Sequence, residues 1–271
     1  FDITKGDLLI DPFNGTGTTT LAAKKLGIDS IGTDTSPASV LSARCKTNWD
    51  VDLDEFRDRR SDLLSTIEPI FKEISSQGNT TLDSFGESDA EDIELSKYDF
   101  SEPKKTPKGW LSEKPLKKMK VLKYHIEELP DDDVTDLLKL AMIAILPEDV
   151  GNVRFGPEAT RDRKQEGDKD VFTTFKSKLA EIEEDLESVQ AAAESGEAEI
   201  GETEIIRGDA RKLADNLREN SKLLNSDKHD GEVDYLITSP PYPAEHDYTR
   251  NQRLELIWLN AADDNQDLQK I

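Results

Sequence analysis

The chain has 271 residues, 34% of them charged and 35% apolar, and a formal net charge of -23 at pH 7. That composition suits a soluble protein with room for disordered segments, and the acidic balance argues against a general nucleic-acid binder, because phosphate backbones demand local positive charge. One cysteine, Cys45, excludes internal disulfides and cysteine-rich zinc sites and fits a reducing, cytoplasmic setting, while the most apolar run, 137–146, is too short to cross a bilayer and contains Lys139.

In chain order, residues 7–11 (DLLID) predict a short buried strand and residues 12–17 a glycine-containing turn. Residues 18–26 predict a helix that Gly27 ends. Residues 30–34 predict a second strand, and Ser36 with Pro37, a good cap and first-turn pair, opens a second helix to about Trp49. Strand and helix alternating through short turns predict a parallel, helix-covered α/β sheet. The pattern then stops. Residues 55–76 read as helix, 77–109 as a polar linker, and 116–129 and 133–146 as two helices parted at Pro130. Residues 147–170 read as a polar loop, and 171–195 as a long helix with Glu181, Glu183, Glu184 and Asp185 facing outward. Alternation returns with a strand at 203–207, a helix at 211–224 and a buried strand at 233–237. The expectation is a four-strand α/β domain built by residues 1–50 and 201–271, interrupted by a mostly helical insertion over 51–200.

Two stretches point to chemistry. Asp11-Pro12-Phe13-Asn14-Gly15-Thr16-Gly17-Thr18-Thr19 comes directly after the first strand, at the edge where open α/β sheets bind ligands. Glycines there let the backbone approach a bound group, and the helix start offers unpaired N–H groups. A tight βα turn also uses glycine for its own sake, and neither the third glycine of the dinucleotide fingerprint nor a P-loop lysine is present. Asp34 and Asp209 end the second and third strands, placed to accept from the ribose hydroxyls and the adenine amino group of a nucleoside. The alternative is that Asp11, Asp34 and Asp209 each cap the following helix.

The second stretch, Ser239-Pro240-Pro241-Tyr242, closes the last strand. Two prolines stop the ladder and stiffen the corner. Ser239 and the Pro240 carbonyl then present fixed acceptors to an amino group, whose lone pair is freed for attack when its N–H bonds are held. Tyr242 is placed to stack on a base taken out of its helix. A packing tyrosine in a β-edge turn is the plainer alternative.

The pairing of D-P-F-x-G-x-G-T-T with T-S-P-P-Y resembles the S-adenosylmethionine-dependent DNA methyltransferases that modify exocyclic amino groups. The resemblance implies a Rossmann-like methyltransferase sheet with S-adenosyl-L-methionine as cofactor. It implies that Asp11, Phe13, Gly15 and Gly17 line the methionine part, with Thr18 beside them, that Asp34 holds the ribose and that Asp209 lies near the adenine. It implies that Ser239, Pro240, Pro241 and Tyr242 form the catalytic motif. Serine in first place is similar to the cytosine-N4 enzymes, whereas the adenine-N6 enzymes more often carry Asp or Asn. The same resemblance implies DNA as substrate and a cognate restriction endonuclease as partner, while the short apolar runs imply no membrane association. The run from Asp247 through Arg250 to Arg253-Leu254-Glu255-Leu256 is also similar to the segment after this motif in one subgroup of modification methylases. Family members carry further strands after S-P-P-Y and a cofactor-binding segment before the glycine turn, whereas only residues 1–6 precede Asp7 here. The chain, which starts at Phe1, is therefore expected to be part of a longer protein, weakly active alone, with a complementary methylase fragment as a second partner.

Within the insertion, Lys104, Lys105, Lys108, Lys114, Lys117, Lys118, Lys120 and Lys123 stand against Glu113 alone, and Arg154, Arg161, Arg163 and Lys164 form a second cluster. Such patches neutralise phosphates on otherwise acidic proteins, so the insertion is a candidate DNA-docking and target-reading region; a solvated helix face is the alternative. His125, His229 and His246 show no metal spacing, and Cys45 reads as core. Rival readings are adenine-N6 methylation, an RNA or protein amide methyltransferase with a similar x-P-P-Y motif, and an inactive split methylase that only binds.

Overall fold

In a computed structural model, residues 2–76, 95–101, 109–155, 159–196, 200–241 and 251–262 are described. The elements run β1 (Leu8–Asp11), α1 (Thr18–Lys25), β2 (Asp29–Asp34), α2 (Pro37–Thr47), α3 (Leu53–Ser76), α4 (Glu113–Glu127), α5 (Asp133–Ile145), β3 (Val153–Arg154), β4 (Thr160–Arg161), α6 (Val171–Glu194), β5 (Thr203–Arg207), α7 (Leu213–Asn220), β6 (Tyr235–Leu236) and α8 (Arg253–Trp258). They form two units, Phe1–Val51 with Glu183–Ile271, and Asp52–Ile182.

In the first unit four strands make one parallel sheet in the order β5-β2-β1-β6. This is the doubly-wound order, and its reversal between β1 and β6 opens a crevice at their C-terminal ends. The α/β expectation holds. β1 is the centre because its residues are apolar on both faces. Leu8 and Ile10 pack with Ile31, Ile206 and Leu217 on one side, and Leu9 packs with Ala23 and Ile28 on the other. The register from Ser30↔Thr203 to Asp34↔Arg207 joins a strand before the insertion to one after it, so the sheet closes across the gap in sequence.

Local chemistry sets the element ends. Gly17, at φ +90°, precedes α1, and a Cβ there would fall 3.0 Å from Ala43 of α2, so glycine permits both the turn and the close helix contact. Ser36 caps α2 by accepting from the Ser39 N–H, with Pro37 in the first turn, as expected.

Three departures from the expected elements have physical causes. The helix expected over 211–224 is α7 alone, preceded by a 3-10 turn at Ala210–Lys212. It stops because the Glu204 carboxylate of β5 takes the Ser221 hydroxyl at 2.5 Å and the Lys222 and Leu223 N–H groups at 3.0 and 3.2 Å. The last strand is only Tyr235–Leu236 and is not buried: among the described residues it is the sheet edge, and Leu236 is 59% exposed. The loop expected over 147–170 contains a turn of π-helix at Leu146–Val150 and the antiparallel pair β3–β4. Buried Asn152 organises it, donating through Nδ2 to the Gly109 carbonyl and the Ser112 hydroxyl, both at 3.1 Å. The linker expected over 77–109 lies almost wholly outside the described residues.

In the second unit α3, α4 and α5 bury Phe56, Ile67, Met119, Leu122 and Leu138. Asp132 caps α5 by accepting from the Thr135 N–H at 2.9 Å and also takes Arg59 of α3 at 2.5 Å.

Two titratable groups of the first unit carry energetic consequences. Asp29, at the start of β2, accepts from the Glu202 N–H at 2.9 Å and meets His229 at 2.8 Å and Lys228 at 2.5 Å, so the segment before β6 is latched to the sheet. Burial pushes the Asp29 carboxyl up, but Lys228, the Glu202 N–H and His229 outweigh it and hold its pKa below the ordinary value. Asp29→Ala strips His229 of its buried partner and is expected to cost about 3 kcal/mol, read as a lower urea midpoint at unchanged slope. An unshifted midpoint would show the latch to be idle.

Glu255 of α8 has a buried Oε2 without a hydrogen-bond partner among the described residues. Burial lifts its pKa from 4.5 to about 7. Between those values the unfolded chain is ionised while the folded one keeps its proton, so stability falls as pH rises through that window. Glu255→Gln should gain up to about 3 kcal/mol over the wild type above the window and nothing below it. Parallel stability–pH curves for the two proteins would contradict a buried neutral acid.

Candidate active site

Three strand ends build the crevice by one device. Asp11 and Asp34 end β1 and β2, Asp209 lies just past β5, and the Oδ1 of each accepts the N–H two residues on, from Phe13 at 3.0 Å, Ser36 at 2.8 Å and Arg211 at 2.9 Å. These Asx turns swing the chain out of the sheet. Only Asp209 caps the turn that follows it; Gly17 and Ser36 hold the cap positions of α1 and α2, and each of the three carboxylates keeps further lone pairs.

Each aspartate spends those lone pairs differently. Asp11, 2% exposed, takes the Thr238 hydroxyl at 2.7 Å, which ties the first strand end to the residue before Ser239. Asp34 takes the Gly15 N–H at 3.0 Å through Oδ2. Burial raises the Asp34 pKa, helped by the charge of Asp11 and opposed by the Ser36 and Gly15 N–H groups. Asp209 instead grips Arg211 with both oxygens, at 2.6 to 3.0 Å, and this holds its pKa down to about 2.

The glycine turn is strapped onto β2. Asn14 donates its N–H to the Thr33 carbonyl at 3.0 Å, and its side chain accepts from Thr20 at 3.1 Å. Gly32 makes room: a Cβ there would fall 2.4 Å from the Asn14 side chain. Gly15 sits at φ +52°, and a Cβ on it would meet no protein atom within 4 Å.

A cavity of about 520 Å³ lies over these strand ends, lined among others by Phe13, Gly15, Asp34, Asp209, Ser239 and Pro241. Four residues of the expected cofactor set and two of the expected catalytic set thus share one wall system. Asp11 lies buried behind it. Gly17, Thr18 and Pro240 are not among its lining residues, and Tyr242 lies outside the described residues, as do His246 and residues 247–250. The sequence reading missed Thr35, Ser39 and Gln252, which also line the cavity, and treated Ser36 only as a helix cap. No local pattern marks Gln252, whose partners are Ser36 and Ser39, 216 and 213 residues away.

The wall is rich in carboxylate and hydroxyl acceptors, with the Phe13 ring 39% exposed beside them. Such a surface suits a ligand with several hydroxyl or amino donors and an apolar body, which the nucleoside and thioether parts of S-adenosylmethionine supply. The residues present fit that group. Among the described residues no cluster of three or more His, Cys, Asp or Glu side chains could hold a metal ion, and no helix is long and apolar enough to cross a membrane.

In the second unit most lysines of α4 have partners within the unit. Lys118, 6% exposed, faces Asp168 at 3.4 Å. Lys114 donates to the Ser75 carbonyl at 2.6 Å, and Lys117 and Lys123 pair with Glu113 and Glu127 at 2.8 and 3.4 Å. Arg161 pairs with Glu166 at 2.7 Å. Arg154, Arg163 and Lys164 are exposed on and beside β3–β4. Lys104, Lys105 and Lys108 lie outside the described residues.

Comparison with known proteins adds an independent line. The family described as DNA methylase matches residues 3–44, which hold β1, the glycine turn and β2. The type II methyltransferase M.BsoBI of Geobacillus stearothermophilus is 26% identical over 275 aligned residues, covering 96% of this chain and 48% of that protein. The type II methyltransferase M.MjaII of Methanocaldococcus jannaschii is 51% identical over 41 residues, 15% of this chain and 8% of that protein. The chain thus spans about half the length of the first of these relatives. No solved structure matches. The family match covers the glycine-turn motif, and with the relatives it supports the resemblance of this chain to the DNA amino-methyltransferases.

Proposed function

We propose that this chain carries the methyl-transfer site of an S-adenosylmethionine-dependent DNA methyltransferase acting on an exocyclic amino group, and that the group is cytosine N4. The observation behind it is the shared cavity, where Gly15 from the early motif and Asp34 from the end of β2 meet Ser239 and Pro241 from the late motif. The Asp34 carboxylate keeps lone pairs for the ribose hydroxyls, and Phe13 covers the methionine part. Asp209 offers the adenine amino group an oxygen that Arg211 already shares. S-adenosylmethionine, when bound, supplies the methyl group and retains the bonding electron pair on sulfur. Ser239 and the Pro240 carbonyl accept the two amino N–H bonds of the base, which frees the nitrogen lone pair to form the new N–C bond. The proton displaced from nitrogen passes to water through the Ser239 hydroxyl, which accepts it and releases its own. Fixed acceptors of this kind need no reorganisation during the reaction. Tyr242 is assigned base stacking by the family resemblance. Serine rather than Asp or Asn ahead of the prolines favours cytosine over adenine.

DNA docking falls to the second unit, with Arg154, Arg163 and Lys164 as better phosphate contacts than the buried Lys118. The type II names of the relatives favour a cytoplasmic modification enzyme with a cognate restriction endonuclease, and the half-length coverage favours a complementary methylase segment that completes the site.

Duplex DNA incubated with methyl-labelled S-adenosylmethionine and the protein of the complete reading frame, then digested to nucleosides, should carry label in N4-methyldeoxycytidine. Ser239→Ala should lower kcat about 100-fold with little change in the KM for cofactor. Label in N6-methyldeoxyadenosine would overturn the base assignment; label confined to RNA or protein would overturn the substrate.

A further inference from the structure

Gln252 stands in the cavity wall without belonging to either motif. It immediately precedes α8, and its side-chain amide is held at both ends. Oε1 accepts from the Ser36 hydroxyl at 2.6 Å, and Nε2 donates to the Ser39 hydroxyl at 3.1 Å. Both serines are buried, at 7% and 4% exposed. The Ser36 hydroxyl in turn accepts from the Ser39 N–H at 3.4 Å as the cap of α2, and the Ser36 N–H donates to Asp34 at 2.8 Å. These bonds meet at Ser36, which donates its hydroxyl to Gln252 and its N–H to Asp34, and so link the segment that holds Gln252 to the carboxylate at the end of β2. Ordering a long amide costs side-chain entropy that these two bonds must offset, so the group acts as a strut between elements.

We propose that Gln252 is a positioning residue for the cofactor pocket: it fixes the β2–α2 corner, and through Ser36 the Asp34 carboxylate, against the chain segment beyond Pro241. The inference rests on the cofactor reading of this cavity and adds to it a residue from the far end of the chain that governs ribose recognition. Ligand affinity and docking of residues 251–258 are then coupled, in both directions and by the same factor.

The test titrates S-adenosylhomocysteine into the full chain by calorimetry. Gln252→Met keeps the length and removes the amide, whereas Gln252→Glu keeps acceptors for both serine hydroxyls. Gln252→Met should bind about tenfold more weakly, and Gln252→Glu should recover most of the loss. In an Asp34→Asn background the Gln252→Met change should cost much less, because both act on one contact. Ser39→Ala removes one bond from the other side and should weaken binding about threefold, which serves if Gln252→Met folds poorly. Affinity equal to wild type in Gln252→Met and Ser39→Ala, or fully additive losses in the double variant, would overturn the positioning role and leave the cofactor site standing. No binding by the wild type would overturn both.

Discussion

The site depends on β6 lying beside β1 in parallel register. Leu9 pairs with Tyr235 and Ile10 with Leu236, the Ile237 N–H reaches the Ile10 carbonyl at 3.0 Å, and the Thr238 hydroxyl reaches Asp11 at 2.7 Å. These contacts carry Ser239 and Pro241 to the rim that the glycine turn already occupies. Two prolines then forbid the ladder to continue, so the chain must leave the sheet where the crevice opens. The Asp29 latch at the other end of the sheet holds the segment before β6, so a strand of two residues is fixed from both directions.

The strand-end aspartates show how one side chain serves both fold and site. Each makes the Asx turn that the backbone needs, and a carboxylate has enough lone pairs for a second partner. What differs is the competitor. Asp11 is consumed by Thr238 and becomes structural. Among the described residues Asp34 has only backbone N–H partners, and burial raises its pKa, which makes it the readiest to gain from new hydroxyl donors. Asp209 carries Arg211 as counter-ion, so a ligand there shares an oxygen rather than claims one.

Much of this was legible in the sequence because local chemistry wrote it there. The D-L-L-I-D run, the Ser36-Pro37 cap and the Gly17 and Gly27 ends are short-range signals, and β1, β2, α1 and α2 appear where those signals place them. The convergence of residues 11–34 with 237–241 was readable only through paired motifs, since no local feature specifies strand order. What escaped depended on tertiary contacts. Glu204 cuts α7 short from another strand, and Gln252 acts on serines more than 200 residues away. Of the lysines in the basic patch, Lys117 and Lys123 pair with Glu113 and Glu127 one turn away on α4, whereas Asp168, the partner of Lys118, is brought there only by the fold. Leu236 read as core because an apolar strand gives no sign of being at an edge.

The most direct measurement is a crystal structure of the protein with S-adenosylhomocysteine bound. Ligand seated between Gly15, Asp34 and Ser239, with its ribose hydroxyls on Asp34, is the expected result. Ligand bound elsewhere, or Gly15 and Ser239 on different faces of the sheet, would contradict a site shared by the two ends of the chain.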